Sequence, residues 1–173
     1  MRLHTGSPFW PVRDGLPSVF PSLGASTTCE FVVLGGGITG AILAHRLASM
    51  GREVVLIDKR EVASGSTSAT TALIQYELDI PAPQIARKLG DKTALEIHHA
   101  TRRAVSDIIT LSESIGEMGA VVRRPSIKIA SSKRDIRALH ADFTWRQQRR
   151  FAVQWLSADD LATSYGMTRP AAI

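Results

Sequence analysis

Phe31-Val32-Val33-Leu34-Gly35-Gly36-Gly37-Ile38-Thr39-Gly40 is the stretch that decides the fold of this 173-residue chain. An apolar run from Cys29 to Leu34 that breaks off at glycine predicts a buried parallel strand. Gly35 to Gly40 then fits the spacing G-x-G-x-x-G. From Ile38 to Met50 the apolar residues Ile38, Ala41, Ile42, Leu47 and Ala48 recur at helical spacing, and Gly51 stands where a helix C-cap belongs. Glu53-Val54-Val55-Leu56-Ile57 reads as a second strand with Asp58 at its tip. Strand, helix and strand within about 30 residues make a βαβ unit, which requires a right-handed crossover.

Each glycine in such a unit has its own task. Gly35 permits the tight turn, Gly37 lets the backbone approach a pyrophosphate, and Gly40 lets the helix pack closely on the strand. The helix start then offers unpaired N–H groups and a partial positive charge to phosphate. Asp58, 18 residues after Gly40, is placed to accept hydrogen bonds from an adenosine ribose, and its charge disfavours a 2′-phosphate, so NADP is the least suitable dinucleotide. A ligand-free glycine-rich turn joining strand to helix would also satisfy the spacing, but the setting of strand, helix and acidic strand tip favours a ligand.

Composition narrows the class. With 44% apolar and 21% charged residues, the chain is neither disordered nor a collagen-like or disulfide-rich scaffold. Its length suits about one domain that buries roughly 70% of its unfolded surface. Cys29 is the single cysteine, so no internal disulfide or paired-thiolate metal site can form, and a reducing, cytoplasmic setting is expected. No charge-free run exceeds 15 residues; Phe31 to His45 and Val62 to Tyr76 reach that length and carry glycine or hydroxyl clusters, and neither suits a membrane span. Pro8, Pro11, Pro17 and Pro21 interrupt the N-terminal stretch, which has no secretory signal character. Residues 1–27 are expected to form an extended arm anchored by Trp10 with Phe9 and Phe20, and residues 28–173 one domain.

The net charge of +5 is unevenly placed: residues 120–173 hold ten basic and four acidic side chains, a net of +6. Arg146, Arg149 and Arg150 lie near Trp145 and Phe151, but no recognition motif accompanies them, so nucleic acid is not an expected partner. A solvated helix face, or one side of an interface, accounts for the excess.

The remaining segments read as follows. Ser64 to Thr71 is a hydroxylated loop ending in a helix start at Ala72-Leu73-Ile74. Pro81 to Leu89 suits a short helix, and Asp91 caps a long one that runs to Gly116. Val121 to Ala130 predicts a strand with Ile127 and Ile129 on its apolar face. Residues 132–150 read as a basic helix, Phe151 to Trp155 as a short strand, and Ser157 to Tyr165 as a capped helix. Of His4, His45, His98, His99 and His140, the adjacent pair points about 100° apart on a helix and makes no metal clamp; no metal site is expected. His45 reads as a packing or surface residue, Trp145 and Trp155 as core. No Gly-x-Ser-x-Gly elbow is present and Cys29 has no evident activating partner, so no catalytic residue is assigned.

Cys29 to Arg60, followed by Gly65-Ser66-Thr67-Ser68-Ala69-Thr70-Thr71-Ala72, resembles the N-terminal portion of FAD-dependent oxidoreductases of the D-amino-acid oxidase/glycine oxidase superfamily. The shared features are the glycine motif, an acidic residue followed by a basic one, and the hydroxylated segment soon afterwards. The resemblance implies that Gly35, Gly36, Gly37, Ile38, Thr39 and Gly40 contact phosphate and Asp58 the ribose. Lys59 or Arg60 would border the adenine, with Ser66, Thr67 and Thr71 on the pyrophosphate or flavin side. Thr70 and Thr71 depart from the pattern, where many members carry Asn or Ser and then Gly. Members run to roughly twice this length, and their substrate half lies beyond the point this chain reaches. The expected fold class is therefore α/β: a Rossmann-like FAD-binding βαβ unit with added long helices and part of a second sheet, truncated. The implied activity is oxidation of a small amine or amino acid by hydride transfer to flavin, with this portion alone inactive and residues 120–173 facing a partner chain or a missing C-terminal half. The alternatives are a NAD-dependent dehydrogenase, which gives the segment 65–71 no task, and a non-catalytic nucleotide-binding fragment.

Overall fold

The computed structural model describes residues 6–15, 18–116 and 121–173; His4 and Pro17 lie outside the described residues. The chain divides after Leu73 into two compact units, residues 1–73 and 74–173.

The first unit begins with a short helix, α1 (Phe9–Asp14), inside the stretch expected to be extended. Helix geometry is possible there because Pro8 precedes the first turn and Pro11 lies within it, where proline removes no intrahelical bond. Gly15, at φ +79°, ends it. Strand β1 (Phe31–Leu34) pairs in parallel with β2 (Val54–Ile57), Phe31 opposite Val54 and Leu34 opposite Ile57. Helix α2 (Ile38–Ser49) connects them. The βαβ unit is present, but burial is not where the apolar run placed it. Only Val33 of β1 is buried, Val32 and Leu34 are 55% and 80% exposed, and no residue of α2 is buried. The cause is the size of the sheet: two strands and one helix cannot cover both faces of a parallel ribbon.

The helix expected from Ala72 is absent. Ser66–Ala69 instead form one 3-10 turn, Thr70 is extended, and Ala72 adopts φ +55°, a left-handed conformation through which a helix cannot propagate.

In the second unit, helices α3 (Ala82–Leu89), α4 (Asp91–Ser114) and α5 (Ile136–Gln148) enclose a cluster of Ala82, Ile85, Ala94, Trp145 and Phe151. Trp145 is core as expected, and Trp155 is half-buried beside a smaller cluster of Ala130, Leu139 and Ala171. Gly90, not Asp91, is the N-cap of α4. The Asp91 carboxylate accepts instead from Trp145 Nε1–H (2.8 Å) and Arg149 (2.6 Å), charge-assisted bonds that tie α4 to α5.

Strand β3 (Leu156–Ser157) pairs antiparallel with β4 (Ala171–Ala172). The predicted strand over 121–130 survives only as backbone bonding of Lys128 and Ala130 to residues 171–173. Pro125 lacks the N–H a longer ladder needs. Ile127 packs half-buried against Leu156, Leu161 and Ala172 as expected, whereas Ile129 is exposed and Lys128 reaches inward to Asp142. The strand expected over 151–155 begins only at Leu156, because Arg150 turns left-handed at φ +59° and Phe151 is drawn into the helical cluster. Helix α6 (Ala158–Tyr165) starts at a reciprocal cap, Asp160 N–H to Ser157 Oγ (3.2 Å) and Ser157 N–H to Asp160 Oδ2 (2.8 Å). The added helices and the second sheet therefore match the expected α/β class.

Candidate cofactor site

The junction between β1 and α2 brings most of the motif residues together. Gly35 donates its N–H to the Ile57 carbonyl (2.7 Å) and turns at φ +110°, a conformation that favours glycine. A Cβ built on Gly40 would lie 1.9 Å from the Gly35 carbonyl oxygen. Only glycine permits the first turn of α2 to approach the end of β1 this closely.

At the helix start, the N–H groups of Gly37, Ile38, Thr39 and Gly40 have no carbonyl one turn earlier to bond. Ile38 N–H donates to Thr67 Oγ1 at 3.0 Å, across 29 residues of sequence. Among the described residues, the other three take no acceptor. Thr67 thereby carries the hydroxylated segment to the positive end of α2, with one hydroxyl lone pair engaged and its hydrogen available to an anion.

Asp58 holds the opposite side of the turn. Its Oδ2 accepts from Gly36 N–H (2.8 Å) and its Oδ1 from Arg60 N–H (2.9 Å). Those two bonds, Arg60's first, hold the carboxyl below its ordinary value, so it is a carboxylate at neutral pH. It is half-buried, and each oxygen keeps a further lone pair. Sequence reasoning assigned Asp58 to a ligand; the structure adds that it fixes the turn itself.

Not every expected residue joins this group. Lys59 and Arg60 are exposed at the tip of β2, Ser66 is exposed, and so is Thr71. Val62 and Ala63 were not expected in the group. Ala63 donates its N–H to the Gly36 carbonyl (2.9 Å) from a left-handed conformation, and Val62 lies against Gly36. Neither residue carries a chemical signature, so only their proximity to Asp58 in sequence could have flagged them. Trp10 reaches the same region, its Nε1–H donating to the Thr70 carbonyl at 2.8 Å. The anchoring role expected for the arm therefore rests on Trp10; Phe20 is exposed.

In the second unit the basic excess is partly neutralised. Lys128 (2.7 Å) and Arg146 (3.1 Å) pair with the buried Asp142, and Arg149 with Asp91. Trp145 and Phe151 are buried and offer no stacking face to nucleic-acid bases. His98 is buried against Trp145 and Phe151, while His45 is exposed.

A parallel βαβ unit with a glycine-lined helix start and a carboxylate at the tip of the second strand defines a dinucleotide-binding protein. The chain belongs to the FAD dependent oxidoreductase (DAO) family, whose model matches residues 30–171; FAD is the cofactor of that family. A Bacillus subtilis protein named as a Rieske 2Fe-2S iron-sulfur protein, YhfW, is 35% identical over 100 residues, which are 58% of this chain and 19% of that protein. The glycine oxidase of Geobacillus kaustophilus is 24% identical over 130 residues, 74% of this chain and 32% of the enzyme. Among solved structures, glycine oxidase from Bacillus cereus superposes with a TM-score of 0.60 at 19% identity, over 84% of this chain and 38% of that one. At that identity it bears on the fold alone. The chain thus spans about a fifth to two fifths of the length of these proteins. Among the described residues, no helix is long and apolar enough to cross a membrane.

Proposed function

We propose that the first unit binds the ADP part of FAD and that the whole protein oxidises a small amine or amino acid. The observation that carries the reading is the meeting of two motifs at one point, the Ile38 N–H on Thr67 Oγ1 at the start of α2. A NAD-dependent dehydrogenase needs the glycines and Asp58 but has no use for a second, hydroxylated segment at the same place.

The donor set suits the group. The N–H groups of Gly37, Thr39 and Gly40, with the helix dipole behind them, suit a pyrophosphate. Gly35 and Gly40 leave room where a Cβ would close the cradle. Asp58 would accept from the ribose, while Thr67, with Ser66 and Thr71 further along the segment, would donate hydroxyl hydrogens toward the linker. Lys59 and Arg60 would border the adenine. When bound, FAD would supply a two-electron acceptor for a hydride from the substrate Cα–H. The residues of this chain bind and orient; none is assigned a proton-transfer step.

Titration of the purified chain with FAD, followed by flavin fluorescence and by absorbance after removal of free ligand, tests the reading. Saturable binding of FAD, with NAD failing to compete, is the expected result. Tight NAD binding without flavin uptake would refute it.

A further inference from the structure

We infer that Trp10 is a positioning residue for the cofactor site, acting through Thr67. The inference rests on the reading of that site given above. Helix α1 has six residues, none of them buried, and a helix so short has no stability of its own in water. What holds it is visible in three contacts. The Trp10 indole N–H donates to the Thr70 carbonyl (2.8 Å), the Arg13 guanidinium lies 4.7 Å from the Trp10 ring, and Phe9 meets that ring edge-on at 5.0 Å.

Thr70 is the residue that closes the 3-10 turn, and its N–H donates back to the Thr67 carbonyl at 3.4 Å. Thr67 in turn receives the Ile38 N–H. A continuous path of four residues therefore joins the arm to the positive end of α2: Trp10, Thr70, Thr67, Ile38. Trp10 and Thr67 also line one cleft of about 520 Å³ in this unit, with Pro11, Val62 and Ser68. The other ties of the turn are local: Ser68 is buried and its Oγ donates to the Gly65 carbonyl (2.8 Å), Thr70 Oγ1 accepts from Ala72 N–H (3.2 Å), and Thr70 and Ala69 are themselves exposed. An indole donor on the Thr70 carbonyl removes a degree of freedom that the Thr67 hydroxyl would otherwise keep, and a misplaced hydroxyl binds an anion less well.

The test pairs Trp10→Phe, which keeps a ring and removes the donor, with Trp10→Ala, which removes both. Amide exchange is measured on the chain without FAD, and FAD affinity is measured separately. In Trp10→Phe the Ile38 and Ser68 amides should exchange roughly fivefold faster while Gly35 is unchanged, and the FAD Kd should rise by a similar factor. With Thr67→Val already in place, Trp10→Phe should add little. Unchanged exchange at Ile38 and Ser68 in both variants, a uniform increase that includes Gly35, or full additivity with Thr67→Val would each overturn the inference. A parent chain that takes up no FAD would overturn the cofactor reading and the affinity arm with it; the exchange arm still decides whether Trp10 orders Thr67.

Discussion

Replacing Gly40 by alanine tests the approach of helix to strand on which the site depends. The added Cβ would stand 1.9 Å from the Gly35 carbonyl oxygen, where a carbon–oxygen contact needs about 3.3 Å. The obstacle is backbone at a turn already held at φ +110° and bonded to Ile57, so it cannot swing aside as a side chain could. The first turn of α2 must lift by roughly 1 Å or more, and overpacking of this kind costs about 1–3 kcal/mol. Lifting α2 also stretches the 3.0 Å bond from Ile38 to Thr67, worth about 1 kcal/mol. Gly40→Ala should therefore destabilise the first unit by about 2–4 kcal/mol and weaken FAD binding at least tenfold, or about 1.4 kcal/mol. Native-state amide exchange at Gly35 reports the stability, and flavin fluorescence the affinity. Gly24→Ala is the control, because a Cβ there meets no atom within 4 Å and should change stability by no more than about 0.5 kcal/mol. If Gly40→Ala proves as benign as Gly24→Ala in both assays, the close approach is not what shapes the site.

Three further outcomes follow from particular contacts. Asp58→Ala strips the acceptor from Gly36 and Arg60 and should weaken FAD binding by about 1–3 kcal/mol, read by the same titration; Asp58→Asn, which keeps one acceptor oxygen, should fall between. Asp142→Ala leaves Arg146 buried without its counter-charge and should cost the second unit about 3–5 kcal/mol, measured by urea melts followed through Trp145 fluorescence. Burial alone would push the Asp142 carboxyl up, but hydrogen bonds from Lys128 and Arg146 outweigh it and hold the group below its ordinary value. Its contribution is then complete above the unfolded pKa of about 3.9 and is lost as pH falls below that, so the wild type should lose stability there more steeply than Asp142→Asn. Ser157→Ala breaks the reciprocal cap of α6 and should cost about 1 kcal/mol by thermal melts.

The βαβ unit was legible because its signals are local and redundant. An apolar strand, a glycine spacing that ends it, a 3.6-residue period and an acidic strand tip all point to one arrangement. The capped start of the helix at Ser157 was legible for the same reason; the structure adds that Asp160 completes the cap. The corrections fall where a distant partner decides. Asp91 is a good N-cap in isolation, yet Trp145 and Arg149, more than 50 residues away, claim its carboxylate. Ala72-Leu73-Ile74, after the hydroxylated loop, reads as a helix start, but Ala72 turns left-handed in a segment where Trp10 donates to the Thr70 carbonyl. Phe151 has strand character, and the helical cluster takes it instead. In the site, the tight turn at Gly35, the close approach of helix to strand at Gly40 and the place of Asp58 at the tip of β2 were legible. The bond from Gly36 to Asp58 and that from Ile38 to Thr67 were not, since neither spacing of 22 or 29 residues has a periodicity to announce it.

The exposure of β1 bears on how cofactor binding and folding relate. Phe31, Val32 and Leu34 have the composition of a strand covered on both faces, and they are 42%, 55% and 80% exposed. Two strands and one helix bury little apolar surface by themselves, so within residues 1–73 the contacts that fix the β1–α2 turn are among those that hold helix to strand. Those contacts are the ones a dinucleotide would engage: the Gly35 turn, the N–H groups at the start of α2, Asp58 and Thr67. A ligand bound to the folded unit alone adds RT ln(1 + [L]/Kd), about 2.7 kcal/mol at a hundredfold excess over Kd, which is comparable to the whole cost assigned to Gly40→Ala. In this unit, forming the site and forming the fold are largely the same event, and the residues that would hold the phosphate are also the ones that hold helix to strand.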